Sequence, residues 1–123
     1  MRYYNANPAG KRTVDCVYLA LSFFLGISWM KAVFELVINA TNKGLVNFNY
    51  NTNVTHYLAE KGYQRIKPPR KGMTIDEFIK EVAQKGKCYL IAVPGHMTVI
   101  DTDSELVDTW DCSKKTIKYY WKR

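Results

Sequence analysis

Only three cysteines and two histidines occur in this 123-residue chain, and their spacing excludes more chemistry than it allows. Cys16, Cys88 and Cys112 form no CxxC pair, so neither a disulfide framework nor a four-ligand zinc site is indicated. His56 and His96 belong to no HExxH or comparable pairing, and no metal is expected. The glycines are isolated, which removes phosphate loops and dinucleotide fingerprints, so no cofactor is expected either. Internal repeats, low-complexity tracts and domain linkers are lacking. The uncharged run from Cys16 to Met30 is too short to span a bilayer and contains Gly26 and Ser28. Read as a signal peptide, it would carry away the cysteine at its own start. No membrane association is expected, and the free thiols fit a reducing compartment, the cytoplasm.

What the chain does hold is an ordinary globular balance, 47% apolar and 24% charged, at a length that predicts a single domain over 1–123. Its net charge of +7 is dispersed, and dispersed charge does not predict a nucleic-acid partner. One basic stretch with interleaved aromatics, Lys114 to Arg123, has the composition of a single-strand binder. The reading preferred here is a terminal strand with a solvated lysine face.

Asp15 reads as the cap of a first helix from about Cys16 to Leu25, ended by Gly26. Ser28 caps a second, in which Trp29, Ala32, Val33, Leu36 and Val37 recur at helical spacing to about Ala40. Thr41 to Thr52 is a long loop with a short extended piece around Leu45 to Phe48, and a short helix follows from Asn53 to Glu60. Thr74-Ile75-Asp76-Glu77 is a capping box for a helix reaching Gly86. The period then changes to two. Four strands are expected, Cys88 to Val93, His96 to Asp101, Glu105 to Trp110 and Thr116 to Trp121, joined by short turns that require antiparallel neighbours. The expected class is α+β, with N-terminal helices packed on one face of a C-terminal antiparallel sheet of about four strands.

Within that frame three residues order themselves as a thiol, an imidazole and an acid. Cys16 falls at a helix start, where unpaired N–H groups and the macrodipole favour a thiolate. His96 follows Pro94-Gly95, which breaks the strand and leaves the imidazole at the mouth of the sheet. If Ile100 pairs with Leu106, alternation puts His96, Asp108 and Trp110 on one face and sends Asp101 and Asp111 to the other. A one-residue slip would favour Asp111 as the orienting acid instead. Trp110 is placed to shield the acid–imidazole bond from water. His56, on a short polar helix near Asn53, is given no catalytic or metal role.

The order resembles the papain-like cysteine peptidase superfamily. Asp15-Cys16 is similar to the Asp-Cys of the bacteriocin-processing branch, and Val107-Asp108-Thr109-Trp110 to the Asn-Ser-Trp of papain-type enzymes and the Asp-containing strand of transglutaminase-like relatives. Asn7-Pro8 before the cysteine and the closing Tyr120-Trp121 also resemble small papain-like proteins of bacteriophages and bacteria, which would place a phage-encoded chain in the host cytoplasm. The resemblance implies Cys16 as nucleophile, His96 as general base and acid, and Asp108 as orienting residue. The Gln that such enzymes carry upstream of the cysteine is replaced by Gly10. The Cys16 N–H is then one expected oxyanion donor, with Asn5 or Asn7 as a second if the N-terminal segment folds back.

The implied activity is hydrolysis of a peptide or isopeptide bond in a protein or peptide substrate. The same triad would also serve a transglutaminase, deamidase or amidase, and a scaffold whose catalysis has lapsed would bind a host partner instead.

Overall fold

The computed structural model describes residues 1–11, 13–45 and 51–123. The extended piece expected around Leu45 to Phe48 lies largely outside them. Among the described residues four helices, α1 (Cys16–Leu25), α2 (Trp29–Asn42), α3 (Asn51–Glu60) and α4 (Ile75–Glu81), accompany five strands: β1 (Arg2–Tyr3), β2 (Tyr89–Val93), β3 (His96–Ile100), β4 (Leu106–Asp108) and β5 (Tyr119–Lys122). The strands form one sheet in the order β1-β4-β3-β2-β5. The class is α+β. β1 escaped the sequence reading because two residues carry no periodicity, and it pairs parallel to β4, so the sheet is mixed.

α1 is apolar nearly throughout, with Val17, Leu19, Ala20, Leu21 and Phe24 buried. Gly26 stops it at φ 66°, a left-handed conformation that costs glycine least. Asp15 does not cap it. The Asp15 carboxylate is instead held by Trp29 Nε1–H at 2.8 Å and Asn7 Nδ2–H at 3.2 Å, which tie the start of α1 to α2 and to the N-terminal segment. Ser28 does cap α2, its Oγ accepting from the Lys31 N–H, and α1 and α2 meet at 105°. Among the described residues no single helix is long and apolar enough to cross a membrane. The buried amides of Asn39 and Asn53 bond one another at 2.6 Å, and Asn53 Nδ2–H reaches the Leu36 carbonyl, clamping α2 to α3.

The capping box of α4 is present with both reciprocal bonds. The helix stops five residues before Gly86 because the next amides find partners elsewhere: Gln84 N–H on the Tyr89 hydroxyl and Gly86 N–H on the Thr102 carbonyl. β5 begins at Tyr119 rather than Thr116 for a similar reason, since Thr116 and Ile117 pair with Thr74 and Met73.

Both faces of the sheet are covered, where the sequence reading placed helices on one. Leu90, Ala92, Met97, Val99, Val107 and Trp121 pack beneath α1, α2 and α3. Tyr89, Ile91, Val93, Ile100, Leu106 and Tyr120 pack with Phe78 and Ile75 of α4. Phe78, Tyr89 and Tyr120 meet edge to face at centroid separations of 4.8 to 6.1 Å. Each such fully buried side chain contributes roughly 1.5–3 kcal/mol, so the central strands are a rigid platform. In the aromatic stretch at the C-terminus Tyr120 and Trp121 lie inside and Tyr119 is half-buried, while Lys118 and Lys122 face solvent.

Candidate active site

Cys16 opens α1, and α1 lies along β3, so the thiol arrives at the end of the sheet where β3 begins. There the chain turns back on itself through Pro94 and Gly95, the latter at φ +71°, and Val93 pairs with His96. Pro followed by a glycine of positive φ is the sequence a tight type II turn demands. His96 is therefore the first residue of a strand anchored in the middle of the sheet.

The hairpin from β3 to β4 takes the register in which Ile100 pairs with Leu106 and Val99 with Val107. His96, Thr98 and Asp108 then share a face. His96 Nε2 stands 2.7 Å from Asp108 Oδ2, and the Trp110 ring lies over the imidazole at a centroid separation of 4.8 Å, tilted 49°. Their side chains are 10% and 6% exposed for His96 and Asp108, low enough for a hydrogen bond to a charge to be strong. Asp111, the alternative acid, is exposed and turned back on its own loop, accepting from the Ser113 N–H.

Asp108 is itself fixed from several sides. Its Oδ1 accepts the Thr109 N–H at 2.6 Å, its Oδ2 the Cys112 thiol at 3.5 Å, and its carbonyl the Tyr4 N–H at 3.0 Å. Cys112 and the β1 segment were missed by sequence reasoning. No pattern marks a lone buried cysteine four residues past an acid, and a two-residue parallel strand leaves no periodic trace.

Electrostatics follow from this packing. Burial alone would raise the Cys16 thiol; the His96 imidazole and the Met97 and Val17 amides outweigh it and leave the thiol below its ordinary 9.0. Burial would likewise lower His96, but Asp108, Cys112 and Cys16 push the imidazole up to about 11. Asp108, which burial would raise, is held below the ordinary carboxylate value chiefly by His96. Nε2 is engaged by Asp108, so a proton exchanged with Cys16 would have to pass through Nδ1. These shifts move the pair in the direction of a thiolate beside an imidazolium.

His96, Asp108 and Cys112 offer three ligand atoms within 4.8 Å of one another, the set that a borderline-soft cation would use. The 2.7 Å separation of nitrogen and oxygen is that of a shared proton, since two such ligands on one tetrahedral zinc ion stand roughly 3.4 Å apart. His56 sits exposed on α3.

The donors proposed for an oxyanion are differently placed. Asn5 Nδ2–H reaches the Lys11 carbonyl at 3.3 Å and Asn7 Nδ2–H the Asp15 carboxylate, so both tie down the N-terminal segment behind the nucleophile. Gly10 lies in a turn closed by its N–H on the Asn7 carbonyl. The donor that the fold does supply is the Cys16 N–H, one of the first four amides of a helix and hence without an intrahelical partner.

Two clefts flank the thiol. One of 410 Å³ runs past Val17, Val93 and Met97 to Lys118; the other, of 150 Å³, runs past Leu19 and Thr109 to Trp110. Cys16, His96, Val14 and Gly95 border both. A reacting bond laid across the sulfur would thus have room on either side. Searches of protein-family models, curated proteins and solved structures return no match to this chain.

Proposed function

We propose that the chain is a papain-like cysteine hydrolase acting on a peptide or isopeptide bond through Cys16, His96 and Asp108. The observation that carries this reading is the His96 Nε2 to Asp108 Oδ2 bond at 2.7 Å, formed by an imidazole that also lowers the Cys16 thiol. A structural histidine needs one partner. This one has an acid on Nε2 and also lowers a neighbouring thiol, which is what an activated nucleophile requires of its base.

In the proposed reaction the Cys16 thiolate attacks the carbonyl carbon, and the negative charge moves to the carbonyl oxygen, towards the Cys16 N–H. His96 Nδ1–H protonates the departing nitrogen as the C–N bond breaks, leaving a thioester and a neutral imidazole. Water then gives a proton to His96 while its oxygen attacks the thioester, and the C–S bond breaks to release a carboxylic acid product and restore the thiolate–imidazolium pair. Asp108 holds the ring in place and stabilises its charged form throughout. One backbone donor at the oxyanion in place of two costs about a hundred- to a thousandfold in rate, so a slow enzyme is expected.

Incubating the protein with a peptide library and reading product masses tests the proposal. New termini carrying one added water, absent with Cys16→Ala, support hydrolysis. With a primary amine present, products that carry the amine instead of water would move the reading to acyl transfer, and intact peptides throughout would overturn both.

A further inference from the structure

The two clefts beside Cys16 differ in charge. The larger has an apolar floor of Val17, Val93 and Met97; among the described residues lining it Lys118 is the one charged side chain besides His96, and there is no carboxylate. Lys118 is joined at this edge by a second cation: the Lys118 ammonium and the Arg65 guanidinium both lie over the Tyr119 ring, 5.8 and 4.5 Å from its centroid. Tyr119 belongs to β5, packs edge to face on the buried Trp121 at 5.5 Å, and pairs with Ala92 next to Val93 of the cleft wall. Lys118 is tied to β2 by its N–H on the Ala92 carbonyl, and Arg65 reaches the same edge from the loop between α3 and α4. The smaller cleft holds Asp15 instead, a buried carboxylate already bonded by Trp29 and Asn7. A cleft lined by charge of one sign concentrates ligands of the other.

We infer that the larger cleft selects acidic peptides, seating an apolar side chain on Val17, Val93 and Met97 with a carboxylate directed to Lys118 and Arg65. This inference rests on Cys16 being the reacting group, and its test separates the two. The full-length chain is treated with three methanethiosulfonates, one neutral, one carrying a sulfonate and one a quaternary ammonium, and modification of Cys16 is timed by peptide mass spectrometry. In each, the thiolate attacks the sulfenyl sulfur, a mixed disulfide forms and methanesulfinate leaves.

The ratio of anionic to cationic rates should exceed that of free cysteine by at least about threefold, the scale of exposed charge interactions, and added salt should shrink it. Lys118→Glu should reverse the preference, while Lys80→Glu, on α4 at the other face, should not change it. Glu-rich peptides should protect Cys16 from the neutral reagent at lower concentration than Lys-rich ones. A ratio unmoved by Lys118→Glu, or a wild-type preference for the cation, would overturn the inference. Failure of the neutral reagent to modify Cys16 faster than free cysteine would instead count against the nucleophile itself, with the charge ratio still read from the residual modification.

Discussion

Cys16 and Cys88 are two thiols with a cation at hand and opposite fates. Cys88 lies just before β2 with Arg123 beside it, its N–H and carbonyl both paired with Arg123, and is 2% exposed. Burial raises its thiol, and the guanidinium does not undo that. Burial acts on Cys16 in the same direction, yet its thiol is lowered. The difference is that Cys16 is served by an imidazole that a buried carboxylate keeps charged, by backbone amides, and by two clefts that admit a reagent. A nearby positive charge is thus insufficient. A reactive thiol here requires a cation that is itself held in place, and a route to the sulfur.

Removing each thiol gives the widest contrast. Cys16→Ala should abolish labelling by an electrophilic probe at neutral pH, and Cys88→Ala should leave it intact; equal labelling of both variants, read by intact mass, would erase the distinction. His96→Gln comes next. It should return Cys16 towards the ordinary thiol range and lower any hydrolysis by about a hundred- to ten-thousandfold, the usual worth of a positioned acid–base group, with Cys88 still unlabelled. Asp108→Asn keeps the shape and removes the charge. Loss of a hydrogen bond to a charged partner is worth about 1.5–3 kcal/mol, so alkylation of Cys16 in the mid-pH range should slow by about ten- to a hundredfold, whereas Asp111→Asn should change nothing in the same assay.

Stability should record the same network. His96 is raised from 6.5 to about 11, so the stabilisation from its proton is complete below pH 6.5, declines as pH rises, and is gone above about 11. Thermal melts across that window should show the decline in the native chain and a flatter profile in His96→Gln. Trp110→Leu is the smallest perturbation, removing an aromatic pair worth about 0.5–1.5 kcal/mol. It should narrow the pH range over which Cys16 is reactive; an unchanged range would mean the ring is packing only.

Much of this was legible in the chain because local chemistry and tertiary structure agree. Gly26, Ser28 and the Thr74–Glu77 box mark helix ends by self-contained hydrogen bonds or backbone conformation, and they act where the sequence places them. The hairpin register rests on a supposition, the pairing of Ile100 with Leu106, and the structure has that pair; hydrophobic pattern alone could not choose it, because β3 and β4 are buried on both faces. Illegible features depend on distant partners. Asp15 has the composition of a cap, but Trp29 and Asn7 claim its carboxylate. The second covered face of the sheet, the parallel β1 strand and the Cys112 contact to Asp108 all arise between segments remote in sequence or without period.

The central claim is that His96 makes Cys16 a nucleophile, and the pH dependence of Cys16 alkylation in the native chain and in His96→Gln tests it most directly. The rate should rise through a midpoint below the ordinary 9.0 in the native chain, and that midpoint should move up towards 9.0 in the variant. Coincident midpoints in the two proteins would contradict it.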